Sequence, residues 1–155
     1  MKHDSFIADG RLIEALRQSS RPVSCIEGRI LFSQGDAQVG VYIIENGEAA
    51  LMMTSDSGNV ILCLHTGAGS VLGLPAVIGD EPYSLTAMAR KGSEVSFVTC
   101  DDFEELLGTN PTLNRHILDV LANEVRATRH AISDWKGQAG KGQAGGQQFR
   151  TPLMR

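Results

Sequence analysis

The side chains that could perform catalysis are scattered along this sequence. His3, His65, His116 and His130 form no H-x-H or H-E-x-x-H motif, so they do not predict a metal site. The acidic residues at positions 101–105 follow a strand-like segment, where carboxylates favour the positive end of a helix dipole. No serine stands in a nucleophile motif, and no glycine-rich loop has the P-loop form. We therefore expect a protein without enzymatic activity and without a bound metal. These residues do not identify a cofactor.

The overall composition argues against a dedicated nucleic-acid binder. Lys and Arg number 14 and Asp and Glu number 18 among 155 residues, which gives a net charge of -4. Nucleic-acid-binding domains usually carry a basic excess or a basic patch. No apolar run approaches the length of a membrane span, and the N-terminal segment lacks the features of a signal peptide. We expect a cytoplasmic protein with no direct DNA binding and no membrane association.

Glycines recur through the middle of the chain at a spacing typical of short strands joined by tight turns. The intervening runs predict a mainly β fold, a β-roll or jelly-roll barrel over residues 22–100. Asn46-Gly47 predicts a hairpin with a type I′ turn, and Ser57-Gly58 predicts a second hairpin. The predicted strands are Val23–Ile26, Arg29–Ser33, Val41–Glu45, Glu48–Thr54, Asn59–His65, Ser84–Arg90 and Glu94–Cys100.

Helices are expected at the two ends of this barrel. A short amphipathic helix is predicted over residues 9–19, and C-terminal helices over residues 101–136, the first of them capped by Asp101. Asn110-Pro111 then combines a cap with a proline at the first helical position. Neither Gly nor Pro follows until after Trp135, which predicts one long helix. Residues 1–136 are therefore predicted to form the domain, and the Gly- and Gln-rich residues 137–155 a flexible tail.

The long helix carries two apolar stripes. Leu113, Ile117 and Val120 could pack on the barrel. The residues of the second stripe recur at alternating intervals of three and four, the pattern of a coiled-coil seam. These are Leu118, Leu121, Val125, Thr128, Ile132 and Trp135. We predict a homodimer through this stripe, although the alternative that the helix lies only on its own domain remains open.

Several short motifs follow one another in a characteristic order along residues 23–132. They are Gly28-Arg29-Ile30-Leu31-Phe32, Gln34-Gly35-Asp36, Tyr42-Ile43-Ile44, Asn46-Gly47, Gly69, Leu72-Gly73, Phe103, Leu106-Leu107 and Asn110-Pro111. Together they resemble the cyclic-nucleotide-binding domain of the catabolite-activator (Crp/Fnr) type. The resemblance implies a sensory module, in which the β-roll holds a cyclic nucleotide or another small ligand and the long helix dimerises and reports occupancy.

The resemblance also implies where a ligand would bind. The family uses a phosphate-binding cassette of strand, short helix and turn, with the phosphate near the N-terminus of the short helix. The corresponding positions here are Gly73, Leu74, Pro75, Ala76, Tyr83, Ser84 and Thr86. Full-length family members carry a helix-turn-helix domain after the long helix, for which the 20 residues after Trp135 leave no room. We expect output through an unknown protein partner, unless the sequence is a fragment.

The cassette departs from the family pattern at two positions. Leu74 stands where the ribose-binding Glu would be, and Tyr83 stands where the phosphate-binding Arg would be. Each lost charge-assisted hydrogen bond costs about 1.5–3 kcal/mol, so tight binding of cyclic AMP is not expected. One interpretation is a pocket retuned for a less charged ligand, with the hydroxyls of Tyr83, Ser84 and Thr86 as donors. The other is a vestigial pocket closed by Leu74 and Tyr83, which leaves a ligand-free protein-interaction or dimerisation module.

Overall fold

Short strands pair into two antiparallel sheets, and the helices cover one side of the resulting β-roll. The computed structural model describes the backbone of residues 8–141 and the side chains of residues 8–133. The helices are α1 (Gly10–Arg17), α2 (Leu74–Gly79), α3 (Cys100–Thr109) and α4 (Leu113–Lys141). The strands are β1 (Arg21–Val23), β2 (Arg29–Phe32), β3 (Gly40–Asn46), β4 (Glu48–Thr54), β5 (Val60–Gly67), β6 (Ser70–Leu72), β7 (Thr86–Ala89) and β8 (Glu94–Thr99).

The two sheets have strand orders β1-β8-β3-β6 and β2-β7-β4-β5. This arrangement confirms the predicted mainly β architecture with a short N-terminal and a long C-terminal helix. Alternate side chains of β3 enter different parts of the core, as the two-residue period of a strand requires. Tyr42 and Ile44 pack between the sheets, while Val41 and Ile43 pack with the apolar faces of the helices. The domain therefore has one core layer inside the β-roll and a second under the helices.

The Asn46-Gly47 pair does not form the predicted hairpin. β3 and β4 belong to different sheets, so the chain crosses from one sheet to the other at this point. Gly47 has a φ of 99°, but Asn46 remains in β3, so the turn is not of type I′. The hydroxyl of Ser93 accepts from the backbone N–H of Glu48 and donates to its carbonyl, both at 3.1 Å. These bonds hold the corner. The Ser57-Gly58 hairpin is confirmed, because β4 pairs with β5 around Gly58.

Several predicted boundaries also change. The cap of α3 is Thr99, whose hydroxyl accepts from the backbone N–H of Asp102 at 3.1 Å, and not Asp101. The sequence pattern did not predict the short strand β6. α4 continues to Lys141, so the predicted domain boundary after residue 136 falls inside a helix. Extending an existing helix through Gly costs only about 1 kcal/mol per residue. The rest of the predicted tail, residues 142–155, lies outside the described residues.

Gly40 begins β3 at a point where the paired strand β8 lies too close to leave room for a side chain. A Cβ there would lie 2.7 and 2.8 Å from ring atoms of Phe97, and closer still to the carbonyl oxygen of Val98. We expect Gly40→Ala to lower the free energy of unfolding by about 2 kcal/mol or more, measured by urea denaturation. Gly10→Ala is the control, because a Cβ at Gly10 meets nothing within 4 Å. Equal stability of the two variants would contradict the prediction.

Candidate ligand-binding site

The cassette begins with a glycine whose backbone no other residue would adopt easily. Gly73 has a φ of 94° and precedes the first residue of α2. A Cβ on Gly73 would lie 3.2 Å from the carbonyl oxygen of Gly40 and 3.2 Å from a ring carbon of Tyr83. Pro75 stands in the first turn of α2, where its missing N–H removes no helical hydrogen bond. The positive φ and the close contacts together place the start of α2 tightly against β3.

Tyr83 fastens the other end of the cassette to the same strand. Its hydroxyl donates to the carbonyl of Gly40 at 2.7 Å and accepts from the backbone N–H groups of Val39 and Gly40 at 3.0 and 3.2 Å. Its ring stacks on Phe32, with ring centroids 4.0 Å apart. Burial raises the pKa of the Tyr83 hydroxyl, which keeps the group a neutral donor. The single O–H donor is already engaged by Gly40, so Tyr83 does not offer it to a ligand.

Two other cassette residues turn away from the space that a ligand could enter. Leu74 is fully buried and belongs to the core layer under the helices, together with Val71 and Val77. The hydroxyl of Thr86 accepts from the backbone N–H of Gln34 at 2.9 Å. Neither Leu74 nor Thr86 lines the cavity described next. The cassette therefore keeps its helix and turn, but two of its seven predicted positions serve packing or backbone contacts.

A cavity of about 450 Å³ lies between the β-roll and α4. This volume is within the usual range for small-molecule pockets. The other five predicted positions meet at this cavity, namely Gly73, Pro75, Ala76, Tyr83 and Ser84. The β-roll adds Phe32, Leu51 and Leu85, and α4 supplies Leu121, Glu124, Val125, Thr128, Arg129 and Ile132. Although Leu74 and Tyr83 are buried, as the vestigial interpretation supposed, they leave this space unfilled.

The predicted seam of α4 divides between two surroundings. Leu118, Val125 and Ile132 are 64%, 54% and 38% exposed, and they recur every seven residues on one face of the helix. Leu121 and Thr128 are half-buried and line the cavity. Val125 and Ile132 also reach its edge. Only part of the predicted seam is therefore accessible on the surface. The side chain of Trp135 lies outside the described residues.

Glu124 is the group that the sequence pattern did not assign to the site. Its side chain is only 8% exposed, and its Oε2 is buried without a hydrogen-bond partner. Burial raises the pKa of this carboxyl to about 8, so the neutral form prevails at neutral pH. The available signal was its position, four residues after Val120 and three after Leu121, within a helix face that is otherwise apolar. A buried carboxyl without a partner is unusual in native proteins.

Comparisons with known proteins agree with this architecture. The sequence model of the family described as cyclic nucleotide-binding domain matches residues 22–110, more than half of the chain. The chain belongs to the cyclic nucleotide-binding domain family. The fumarate and nitrate reduction regulatory protein of Vibrio cholerae is 24% identical over 120 residues, which are 77% of this chain and 47% of that protein. The chain thus spans about half the length of the curated relatives that it matches.

Solved structures share the fold of this cyclic nucleotide-binding domain. The catabolite activator protein of Thermus thermophilus matches with a TM-score of 0.65 and 19% identity, over 81% of this chain and 59% of that one. A cyclic nucleotide-binding domain from Methylobacillus flagellatus matches with a TM-score of 0.64 and 20% identity, over 81% and 71% of the two chains. The resemblance to the Crp/Fnr type is confirmed.

The described part of this cyclic nucleotide-binding domain offers neither a metal site nor a membrane-spanning helix. No group of three or more His, Cys, Asp or Glu side chains among the described residues is placed to hold a metal ion. Within residues 8–141, no helix combines the length and the apolar character needed to cross a membrane. The polar lining of the cavity includes the carboxyl of Glu124, the hydroxyls of Ser84 and Thr128, and the exposed Arg129.

The raised pKa of Glu124 predicts a specific dependence of stability on pH. Between about pH 4.5 and 8 the folded protein holds a proton at Glu124 that the unfolded chain releases, so this group lowers stability as the pH rises through that interval. Glu124→Gln removes the titration. As the pH rises through the interval, the free energy of unfolding of Glu124→Gln should increase relative to that of the wild type, by at most about 1.4 kcal/mol per pH unit. Urea denaturation near both ends of the interval measures it.

The control for this experiment is Glu105→Gln, which removes an exposed carboxylate of α3 without touching the cavity. It should follow the wild type at every pH. Parallel pH profiles for Glu124→Gln and the wild type would show that the carboxyl of Glu124 is not buried in the folded protein.

Proposed function

We propose that this chain is a non-enzymatic, cytoplasmic sensory domain whose cavity binds a small ligand other than an ordinary cyclic nucleotide. The observation that carries the proposal is the residue that stands where the family places its phosphate-binding Arg. Tyr83 occupies that position, and its hydroxyl is bonded to the backbone of Val39 and Gly40. Among the described lining residues, the only basic side chain is Arg129, which is exposed on α4. A cyclic phosphate in this cavity would therefore have no buried cation beside it, and solvent would screen the charge of the exposed Arg129.

The position of α4 supports a sensory role for the cavity. Residues of this helix line the cavity, while Leu118, Val125 and Ile132 are exposed along it. A ligand in the cavity would touch the same helix that offers a surface to a partner. The relative from Vibrio cholerae is a regulatory protein by name, which agrees with such a role. Output would then pass through α4 to another copy or to a protein partner that is not identified.

A neutral apolar dye tests whether the cavity takes a ligand. We expect Nile red to bind saturably to the wild type and about tenfold or more weakly to Ala76→Phe, in which an aromatic ring occupies the cavity. Ala122→Phe is the matched control, because Ala122 is exposed on α4 and does not line the cavity. Fluorescence titration measures both. Cyclic AMP and cyclic GMP at about 1 mM should not displace the dye, a concentration that would reveal even weak complexes.

The results separate the two interpretations of the cassette. Displacement by either cyclic nucleotide would overturn the proposal that the ligand is different. Dye binding that is absent, or that Ala76→Phe leaves unchanged, would favour a ligand-free interaction or dimerisation module. The burial of Leu74 and Tyr83 is the observation in favour of that second function.

We also propose that two copies associate through α4. The exposed residues Leu118, Val125 and Ile132 lie two turns apart from one another, so they form a continuous apolar strip. Strips of this kind usually mark interaction surfaces. We expect Leu118→Glu to shift the protein from dimer to monomer in light-scattering measurements. Arg115→Glu, an exposed change on the same helix, should leave the mass unaltered. A monomeric wild type, or a dimeric Leu118→Glu, would contradict this seam.

A further inference from the structure

Most of the polar side chains that line the cavity belong to α4. From the β-roll and its cassette, Ser84 contributes a hydroxyl at the cavity, and Tyr83 contributes a ring whose hydroxyl is engaged elsewhere. The remaining β-roll walls are carbon surface from residues such as Phe32, Leu51 and Leu85. α4 adds Glu124, Thr128 and Arg129. A ligand that fills this space is therefore held by apolar contacts on the β-roll side and oriented from the helix.

Glu124 differs from the other polar residues of α4 in its burial. It is 8% exposed, whereas Thr128 is half-buried and Arg129 is exposed. Burial is the cause of its raised pKa, and among the described residues no cation lies within ion-pair distance of its carboxyl. The Oε2 atom has no hydrogen-bond partner. Rotation about the terminal torsion, which is broad in Glu, exchanges the two carboxyl oxygens.

A buried carboxyl in an apolar cavity selects a ligand by charge. An anion would meet a group that becomes a like charge when it ionises. Among the described lining residues the one basic side chain is Arg129, which is exposed on α4, so solvent screens its attraction for an anion and its repulsion of a cation. An organic ammonium would supply both the hydrogen-bond donor that Oε2 lacks and a positive charge that favours the carboxylate. Two aromatic rings, those of Phe32 and Tyr83, line the same cavity, and aromatic rings attract cations at close range.

We propose that Glu124 is the recognition group of the cavity and that the ligand is a small organic amine with an apolar body. This inference rests on the proposed ligand-binding function of the cavity. The amine binds as its ammonium form, and Glu124 releases its proton to solvent, so that the cavity gains one cation together with one anion. The apolar body of the ligand contacts residues such as Leu51 and Ala76, while the nitrogen faces α4.

Three probes of matched size test the charge preference. Phenethylamine, phenethyl alcohol and phenylacetate share one aromatic ring and differ in being cationic, neutral and anionic. We expect the wild type to bind the amine about tenfold or more tightly than the alcohol, and the carboxylate least, in protein-observed NMR titrations. Glu124→Gln should weaken amine binding about tenfold or more and leave the affinity for the alcohol unchanged. Glu105→Gln, an exposed carboxyl variant, should behave as the wild type.

Each other outcome overturns the assignment. Equal affinities for the three probes, or amine binding that Glu124→Gln leaves unaltered, would mean that Glu124 does not recognise a cation, while the cavity would still bind ligands. Stronger binding of phenylacetate than of phenethylamine would reverse the proposed charge preference. Absence of binding by all three probes would also overturn the amine assignment. The proposed function is judged separately, by the response of Nile red binding to Ala76→Phe.

Discussion

Tyr83 joins three parts of the β-roll, namely the start of β3, the strand β2 and the glycine that precedes α2. It forms hydrogen bonds with the backbone of Val39 and Gly40, and its ring lies against Phe32 and against the position of Gly73. A side chain on Gly73 would be strained by its positive φ and tight against this arrangement, and a side chain on Gly40 would collide with β8. The cassette is therefore held against β3 by contacts within the protein. At the position that the family resemblance assigns to a phosphate-binding Arg, Tyr83 thus forms contacts within the protein.

Backbone geometry also defines the shape of the cassette. α2 follows Gly73, which has a positive φ, and ends before Asp80, whose φ is also positive, so both ends of the helix are set by the backbone. Leu74 contributes by packing under the helices, where a carboxylate would be buried without a partner. In the proposed function the recognition groups lie on α4, whose Glu124 and Thr128 border the same space.

Much of the fold could be predicted from the sequence, because glycine spacing and apolar periodicity are local properties. The strands between Arg29 and Thr99, with the exception of β6, and the helices at both ends follow from those patterns. The Asn46-Gly47 corner did not, since a two-residue turn preference carries no information on which sheet the next strand joins. The seam of α4 was predicted as a single surface, yet Leu121 turns to the cavity while Leu118 remains exposed. Residues three apart on a helix diverge enough to meet different neighbours.

The candidate site was predictable in outline only. The resemblance to the family located Gly73, Ala76 and Ser84 at the cavity, but it placed the side chain of Leu74 there as well. Whether a side chain faces a pocket or the core depends on the packing of distant elements, here α1, α3 and α4 over the cassette. Glu124 was not predicted for the same reason, because the cavity that it lines is completed by residues of the β-roll that are distant in sequence.

The length of α4 gives the helix the geometry of a lever. Its N-terminal residues Leu113, Ile117 and Val120 are buried in the core under the helices and form a fulcrum. At 1.5 Å per residue, Glu124 lies about 10 Å from Ile117 along the axis, and Lys141 about 36 Å. A tilt about that fulcrum therefore displaces the far end of the helix roughly three times as far as it displaces the wall of the cavity. In the proposed function, a sub-ångström adjustment around a small ligand would reach the far end of α4 as a displacement of up to about 3 Å.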